Sequence, residues 1–436
     1  MLKFGTDGIR GVAYTEVTVE YVASLGRAAA CVLGGGDWLV GRDPRESSFD
    51  LAGALASGLA DGGAEVTLTD VAPTPAVAYW AARHERPAAM VTASHNPYHD
   101  NGVKIFGPGG VKLTDEVERS IELAMATAPA PDEGWYSYAH ADSLVDDYVD
   151  HLIAMFEPSS LGGLRIVLDC ANGAMSEIAQ RPFLALGAMV SVIHAAPDGR
   201  NINDRCGATS PGSLCAAVVE QGADLGLAFD GDGDRVIAVD QHGNVIDGDR
   251  LIALAALQLR DEGRLHDDTV VVTVMSNLGF RRAMEAAGIT VVETAVGDRY
   301  VLEALDAGAF SVGGEQSGHI IYRDLATTGD GLLAGLRLAE YVLQRATSVG
   351  ELADAVMTSF PQVLINIRVA VRHPDVAAEL AVEIDTAEQA LGGQGRILVR
   401  ASGTEPLIRV MVEAATAELA GRTADSLADV VRDRFG

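Results

Sequence analysis

Thirteen residues, Thr92 to Lys104, read T-A-S-H-N-P-Y-H-D-N-G-V-K. A serine at the mouth of a strand, followed by polar groups and a lysine, is equipped to act as a nucleophile or phosphoryl carrier. The apolar run Ala88–Val91 predicts that strand, and Pro97, Asn101 and Gly102 predict a loop that cannot continue it. A second stretch, Phe229–Arg235, reads F-D-G-D-G-D-R. Asp230, Asp232 and Asp234 alternate with glycine, so an extended backbone turns all three carboxylates to one side. Two carboxylates ~4 Å apart repel by about 4 kcal/mol at an effective dielectric near 20, so three together call for a cation. Hard oxygen ligands favour Mg²⁺ or Ca²⁺. An EF-hand is excluded, because it wants glycine and glutamate where this chain has Arg235 and Gln241. Three carboxylates leave room for a fourth ligand, such as an oxygen on Ser94.

Two further stretches suit anions and hydroxyls. Arg400–Arg409 reads R-A-S-G-T-E-P-L-I-R. An arginine, two hydroxyls and a glycine that frees backbone N–H groups make a phosphate cradle, although a surface β-turn fits the same residues. The chain has no Gly-Lys dipeptide, which excludes a Walker-A loop. Gly313–His319 reads G-G-E-Q-S-G-H, where Glu315 and Ser317 can bond the hydroxyls or amine of a sugar. Val296–Tyr300, V-G-D-R-Y, reads as a helix N-terminus with Asp298 as cap.

The elements that must position these loops alternate in type. Trp38–Gly41, Glu65–Leu68 and Ala89–Val91 predict strands, and Val19–Leu33, Phe49–Leu59 and Ala76–Ala82 predict helices. Ala126–Pro131 reads as a linker and Pro158–Gly163 as a boundary. Strands Arg165–Leu168, Met189–Ile193 and Leu225–Ala228 follow, with a helix from Ser176. A third unit runs from Gly248 with the same alternation, and Gly331–Gln344 predicts a linking helix. Strands Leu364–Val371, Arg396–Val399 and Leu407–Val412 and a helix from Ala420 close the chain. The expected class is α/β: three similar α/β domains with mixed sheets plus a smaller C-terminal α+β domain. The expected boundaries are 1–157, 158–248, 249–361 and 362–436.

Composition narrows the function further. At 436 residues, with 48% hydrophobic and 21% charged, the chain is globular and too long for one core. A net charge of −29 argues against nucleic acid or an anionic membrane as partner. No apolar run is long enough to span a bilayer, and Met1–Arg10 lacks the apolar core of a signal peptide, so the cytosol is the expected compartment. Cys31, Cys170, Cys206 and Cys215 show no C-x-x-C spacing and suit reduced thiols. Only Lys3, Lys104 and Lys112 among the 32 basic residues are lysines. Lysine, unlike arginine, can lose its proton when its surroundings lower its pKa, so Lys104 hints at proton transfer near Ser94.

Taken together these residues resemble the phosphohexomutase family from Met1 to the last domain. Four signatures stand in family order: T-A-S-H-N-P, D-G-D-G-D-R, G-E-x-S-G-H and R-A-S-G-T-E-P. The opening F-G-T-D-G-I-R-G, Val274–Gly279, V-G-D-R-Y and Gln316 resemble the branch that acts on glucosamine phosphate. One loop departs: Cys206–Pro211 is C-G-A-T-S-P where the family usually reads C-G-S-T-H-P.

The resemblance implies four domains around a central cleft, phospho-Ser94 as the resting enzyme, and one Mg²⁺ held by Asp230, Asp232, Asp234 and a phosphoserine oxygen. It implies interconversion of glucosamine 6-phosphate and glucosamine 1-phosphate, on the route to UDP-N-acetylglucosamine, with glucosamine 1,6-bisphosphate or a similar sugar bisphosphate as activator. Lys104 matches the general acid/base and His95 a supporting one, while Arg10 and Arg235 would neutralise the phosphoryl group. Arg400, Ser402, Gly403, Thr404 and Arg409 would hold the non-transferring phosphate. Glu315 and Ser317, with Gly297 and Asp298, would contact the sugar phosphate. A flexible last domain and a homodimer are also implied. With so acidic a surface, this chemistry requires a locally positive cleft. The alternatives are a phosphomannomutase or phosphoglucomutase activity, a metal-dependent phosphatase, and a sugar-phosphate-binding regulator.

Overall fold

The computed structural model describes residues 2–5, 7–127, 138–141, 143–402 and 406–436. The first sheet has six strands in the order Ile9–Val12, Asp100–Phe106, Ala88–Val91, Gly36–Arg42, Ala64–Val71, Ala139–His140. Its centre is parallel and the Ile9–Val12 edge antiparallel. Side chains alternate between two cores, as the period of a strand requires. Val40, Ala89 and Val91 face helices Val19–Leu33, Ser48–Asp61 and Asp115–Thr127, whereas Leu39, Ala88 and Met90 face Thr74–His84. Burial on both faces explains why Ala88–Val91 reads as an uninterrupted apolar run.

Asn101 and Gly102 do not sit in a loop as predicted. Asp100–Phe106 is a strand paired with both Ile9–Val12 and Ala88–Val91. Its turn-forming residues serve packing instead. Asn101 Nδ2 donates to Ser47 Oγ at 2.8 Å and Ser48 Oγ at 2.9 Å. A Cβ on Gly102 would stand 2.2 Å from the Ile9 carbonyl.

The second sheet runs Val245–Ile246, Val236–Asp240, Leu225–Phe229, Arg165–Asp169, Met189–Ile193, and the third Thr290–Thr294, Thr269–Thr273, Val312–Gly314, Ile320–Tyr322. Both are mixed. The helix predicted from Ser176 begins only at Gln180. Several elements fall where the sequence reading placed none, among them helices Asp115–Thr127 and Gly212–Gln221 and strand Val236–Asp240. Of the linker predicted at Ala126–Pro131, the first two residues end a helix and the rest lie outside the described residues.

By its internal packing the chain divides into two compact units, Met1–Met275 with Ile289–Val356, and Ser276–Gly288 with Met357–Gly436. The second unit carries an antiparallel sheet, Gln362–Arg368, Leu407–Ala414, Gly395–Ala401, covered by helices Ala381–Leu391 and Ala417–Phe435. Ile408, Val410, Val412 and Val431 form its centre. The fold is thus α/β in three mixed-sheet layers with an α+β terminal part, as expected. Among the described residues no helix is long and apolar enough to cross a membrane.

One buried carboxyl gives the first unit a pH-dependent stability. Asp330 caps helix Gly331–Arg345 by accepting from Leu333 N–H at 2.9 Å, and it accepts the Tyr148 hydroxyl at 2.8 Å. Burial pushes it up to about 6, against the pull of those hydrogen bonds. A carboxyl raised in the folded state holds its proton more tightly folded than unfolded. Its contribution to stability therefore grows as pH falls from above 6 towards 4. Relative to Asp330→Asn, the native protein is expected to gain about 2 kcal/mol between pH 7.5 and pH 4.5 in equilibrium urea unfolding. Parallel pH profiles for the two proteins would contradict this.

Candidate active site

Ser94 follows strand Ala88–Val91 at its carboxyl end, where ligands gather in open α/β sheets. It is fully buried and left-handed, with φ +52°, a conformation that costs a non-glycine residue of order 1–3 kcal/mol unless its surroundings impose it. They do. Its N–H donates to Thr92 Oγ1 at 2.9 Å, and its carbonyl accepts Arg45 Nη2 at 3.0 Å and Asn203 Nδ2 at 2.9 Å. Arg45 and Asn203 also both donate to the Asn96 carbonyl, at 2.6 and 3.0 Å. Arg45 is itself buried against Asp43. Replacing Arg45 with methionine is expected to cost about 3–5 kcal/mol, because it strands the Asp43 charge and frees the serine loop. Arg45→Lys restores charge without the fork of donors and should recover only part of that loss in a denaturant titration.

The acidic loop meets this serine directly. Ser94 Oγ donates to Asp230 Oδ2 at 2.6 Å. A Cβ on Gly231 would stand 2.6 Å from the Ser94 carbonyl, so only glycine lets the two loops approach this closely. Asp230, Asp232 and Asp234 are all buried and each offers an oxygen within 4.8 Å of the others. Asp232 Oδ2 accepts Thr74 Oγ1 at 2.6 Å and Lys104 Nζ at 2.8 Å, and Asp234 Oδ2 accepts Lys104 Nζ at 2.7 Å. The other oxygens of Asp232 and Asp234 are buried and accept no hydrogen bond. Burial, then the charges of Asp234 and Asp232, hold Asp230 well above the usual carboxylate range. Buried carboxylate oxygens that accept no hydrogen bond, beside a carboxyl whose charged form is penalised by its neighbours, fit a hard divalent cation.

Around the triad lies a dense charge network. Lys104 reaches Asp7 at 3.0 Å besides Asp232 and Asp234. Burial alone would lower its pKa, but Asp232, Asp234 and Asp7 outweigh burial and hold it well above the usual lysine range. The expectation of a lysine poised to lose its proton is therefore corrected: Lys104 is held as an ammonium. Lys112 bridges Asp7, at 2.6 Å, to Asp298. Arg10 pairs with Asp7. His319 stands 3.6 Å from Asp234 and 3.5 Å from Asp298. His95 Nδ1 is 3.3 Å from Ser94 Oγ, and burial, then Arg235 and Arg10, push its imidazole down to about 4.

The wall is not positive on its side chains alone. Asp7, Asp230, Asp232, Asp234, Asp298 and Glu315 face Arg10, Lys104, Lys112 and Arg235. These groups leave no excess of positive charge, so the side chains alone do not make the locally positive cleft that was expected.

In the G-G-E-Q-S-G-H loop, Glu315 Oε1 accepts the Gly297 N–H at 3.1 Å, which ties it to V-G-D-R-Y. Gly297, at φ +131°, is the cap position of helix Asp298–Gly308, and Asp298 is its first residue rather than its cap. Gln316 Nε2 donates to Asp247 Oδ2 at 3.4 Å, and Ser317 is exposed. In the second unit, Arg400 and Arg409 are directly opposite on adjacent antiparallel strands. Burial, then Arg409, lowers the pKa of Arg400. Like charges placed face to face repel unless an anion joins them. Ser402 is buried beside them, and its N–H donates to the Leu407 carbonyl at 2.8 Å. Gly403 and Thr404 lie outside the described residues.

Family models match nearly the whole chain. They are the phosphoglucomutase/phosphomannomutase alpha/beta/alpha domains I, II and III, over residues 1–131, 146–243 and 247–360, and the C-terminal domain, over 364–430. A phosphoglucosamine mutase of Frankia alni is 51% identical over 98% of both chains, and one of Rhodococcus jostii is 50% identical over 98% of both. The chain belongs to the phosphoglucomutase/phosphomannomutase family. It is accordingly an isomerase of the phosphohexomutase type. A putative phosphomannomutase structure from Thermus thermophilus superposes with a TM-score of 0.82 at 25% identity, over 99% of both chains.

Arg45, Asn203, Thr74, Asp7, Lys112 and His319 escaped the sequence reading as site residues. Lys112 had a signal, the scarcity of lysine. Asp7 sits in the opening F-G-T-D-G-I-R-G, and His319 ends the sugar-loop signature. Thr74, Arg45 and Asn203 had none, because each acts across distances of more than forty residues in sequence that only the fold closes.

Proposed function

We propose that this chain is a phosphoglucosamine mutase, interconverting glucosamine 6-phosphate and glucosamine 1-phosphate through phospho-Ser94. The observation that carries the reading is the seat of Ser94, whose Oγ lies 2.6 Å from Asp230 at the edge of the buried carboxylate triad. The roughly 50% identity to phosphoglucosamine mutases along the full chain supports the sugar. Asp230, Asp232, Asp234 and an oxygen on Ser94 would hold one Mg²⁺, which would supply charge stabilisation to the transferring phosphoryl group.

In the first half-reaction, O1 of glucosamine 6-phosphate attacks the phosphorus on Ser94, the bond from phosphorus to Ser94 Oγ breaks, and the O1 proton replaces the one that Lys104 gives up. Lys104, held as an ammonium, is suited to protonate the departing oxygen. Glucosamine 1,6-bisphosphate then turns over, Ser94 Oγ attacks the phosphorus at position 6, and the bond from phosphorus to O6 breaks, O6 taking up the proton that Ser94 Oγ loses as glucosamine 1-phosphate is released. His95, neutral at pH 7 and 3.3 Å from Ser94 Oγ, is placed to accept the hydroxyl proton. Arg10 and Arg235 would neutralise the phosphoryl group, and Glu315, Ser317, Gly297 and Asp298 would contact the sugar. Arg400 and Arg409, with Ser402, Gly403 and Thr404, would hold the phosphate that is not transferred, exploiting the opposed guanidinium pair.

The same reading takes four domains at 1–157, 158–248, 249–361 and 362–436, a sugar bisphosphate as activator, a homodimer and a cytoplasmic site of action. A second reading, a hexose mutase with the same relay, gains from one observation. The Gln316 amide is engaged by Asp247, so its service to an amino sugar is not free. Turnover of Mg²⁺-loaded, phosphorylated protein on glucosamine 6-phosphate, mannose 6-phosphate and glucose 6-phosphate tests both. Preference for the amino sugar is expected; preference for a plain hexose would keep the relay and reject the sugar.

A further inference from the structure

A second cluster of ligating groups stands in the Arg165–Ile246 layer. Asp169 is the last residue of strand Arg165–Asp169, and His194 directly follows strand Met189–Ile193, its parallel neighbour in register. Cys206 comes from the loop that precedes helix Gly212–Gln221. One carboxylate oxygen, one imidazole nitrogen and the thiol sulfur all lie within 4.8 Å of one another. His194 Nδ1 is 3.1 Å from Asp169 Oδ2, yet it is buried and makes no hydrogen bond. Two ligands about 2.0–2.1 Å from a tetrahedral Zn²⁺ stand roughly 3.4 Å apart, so a spacing of 3.1 Å is compatible with joint ligation as well as with a hydrogen bond.

The Asp169 oxygens each accept one backbone N–H, from Ala171 at 2.9 Å and Gly207 at 3.0 Å, which leaves a lone pair on each. The loops that converge here hold Ala171, Asn172, His194, Asn203 and Arg205 at positive φ, between +46° and +58°. Strain concentrated this way persists only where other interactions over-determine the backbone.

We propose that Asp169, His194 and Cys206 form a second metal site, taking one divalent cation of the zinc class with water as a fourth ligand. A nitrogen, a sulfur and a single carboxylate select such a cation over Mg²⁺ or Ca²⁺, which want oxygen throughout. On binding, the Cys206 S–H bond breaks, sulfur bonds the metal, and the proton leaves to solvent. The segment between His194 and Cys206 carries Asn203, whose amide holds the Ser94 and Asn96 carbonyls. A metal at both ends of that segment fixes it, and through Asn203 it steadies the serine loop.

The test uses full-length protein stripped of metal, saturated with Mg²⁺ and titrated with Co²⁺. One equivalent is expected to develop a near-ultraviolet thiolate-to-cobalt band with tetrahedral visible absorption, and Zn²⁺ should bleach both. The Asp230 triad has only oxygens and cannot produce that band, so loss of this proposal is distinguishable from loss of the triad. Cys206→Ser should abolish the band. His194→Gln, at a position about a third exposed, should keep the fold by circular dichroism and weaken binding by at least about tenfold, as loss of even an outer-shell partner does. No thiolate band at one equivalent, a band that survives Cys206→Ser, or unchanged affinity in His194→Gln would each overturn the site.

Discussion

Replacing Ser94 with alanine is expected to lower kcat for sugar-phosphate interconversion by at least about 10⁴-fold, because a covalent relay without its nucleophile has no second route. The backbone should tolerate the change. The Thr92, Arg45 and Asn203 bonds all engage the main chain of residue 94, and alanine at φ +52° is strained to a similar degree as serine. Affinity for the sugar phosphate should stay within a few-fold, since the residues assigned to hold it are elsewhere. A coupled assay for glucosamine 1-phosphate, with binding measured by calorimetry, separates the two quantities. Residual turnover above about one per cent would remove Ser94 from the relay.

The second large effect sets function against stability at one residue. Asp230→Asn should cost about 10³-fold or more in Mg²⁺-dependent turnover, because a ligand of the cation is lost. The same change should raise the melting temperature of metal-free protein by about 1 °C, on the order of 1 kcal/mol. The reason lies in the triad: Asp230 is buried beside Asp232 and Asp234, and its raised pKa records the penalty of a third charge there. Asp230 accepts Ser94 Oγ on one oxygen at 2.6 Å and the Arg235 N–H on the other at 3.2 Å; the single oxygen of asparagine keeps the Arg235 bond, and its amide can donate to Ser94 Oγ once that hydroxyl turns. Adding Mg²⁺ should stabilise the native protein more than the variant, reversing their order. Thermal unfolding with and without Mg²⁺ is the check. A variant that melts lower than the native protein without metal would mean that the carboxylates are not in conflict.

What could be read from the sequence follows from how local each signal is. The D-G-D-G-D-R alternation and the four signatures are contiguous, so residue spacing alone exposes them. The strand before Ser94 was legible for the same reason, as burial on both faces leaves an uninterrupted apolar run. Strand Asp100–Phe106 was not, because Asn101 and Gly102 carry turn chemistry yet are used for a side-chain bond to Ser47 and Ser48 and a close strand approach. The protonation of Lys104 was misread because lysine scarcity says nothing about the carboxylates of Asp7, Asp232 and Asp234 that surround it. Arg45 and Asn203 illustrate the limit most clearly. Their partners are main-chain carbonyls, which no pattern of side-chain types can signal.

The central claim is that Ser94 hands its phosphoryl group to the sugar and not to water. It is tested most directly by mixing stoichiometric phospho-Ser94 protein with glucosamine 6-phosphate in a rapid quench. Intact mass and phosphate analysis then follow the group. Loss of phosphoserine matched by glucosamine 1,6-bisphosphate, with no inorganic phosphate, is the expected result. Stoichiometric inorganic phosphate without bisphosphate would contradict it and make the chain a phosphatase.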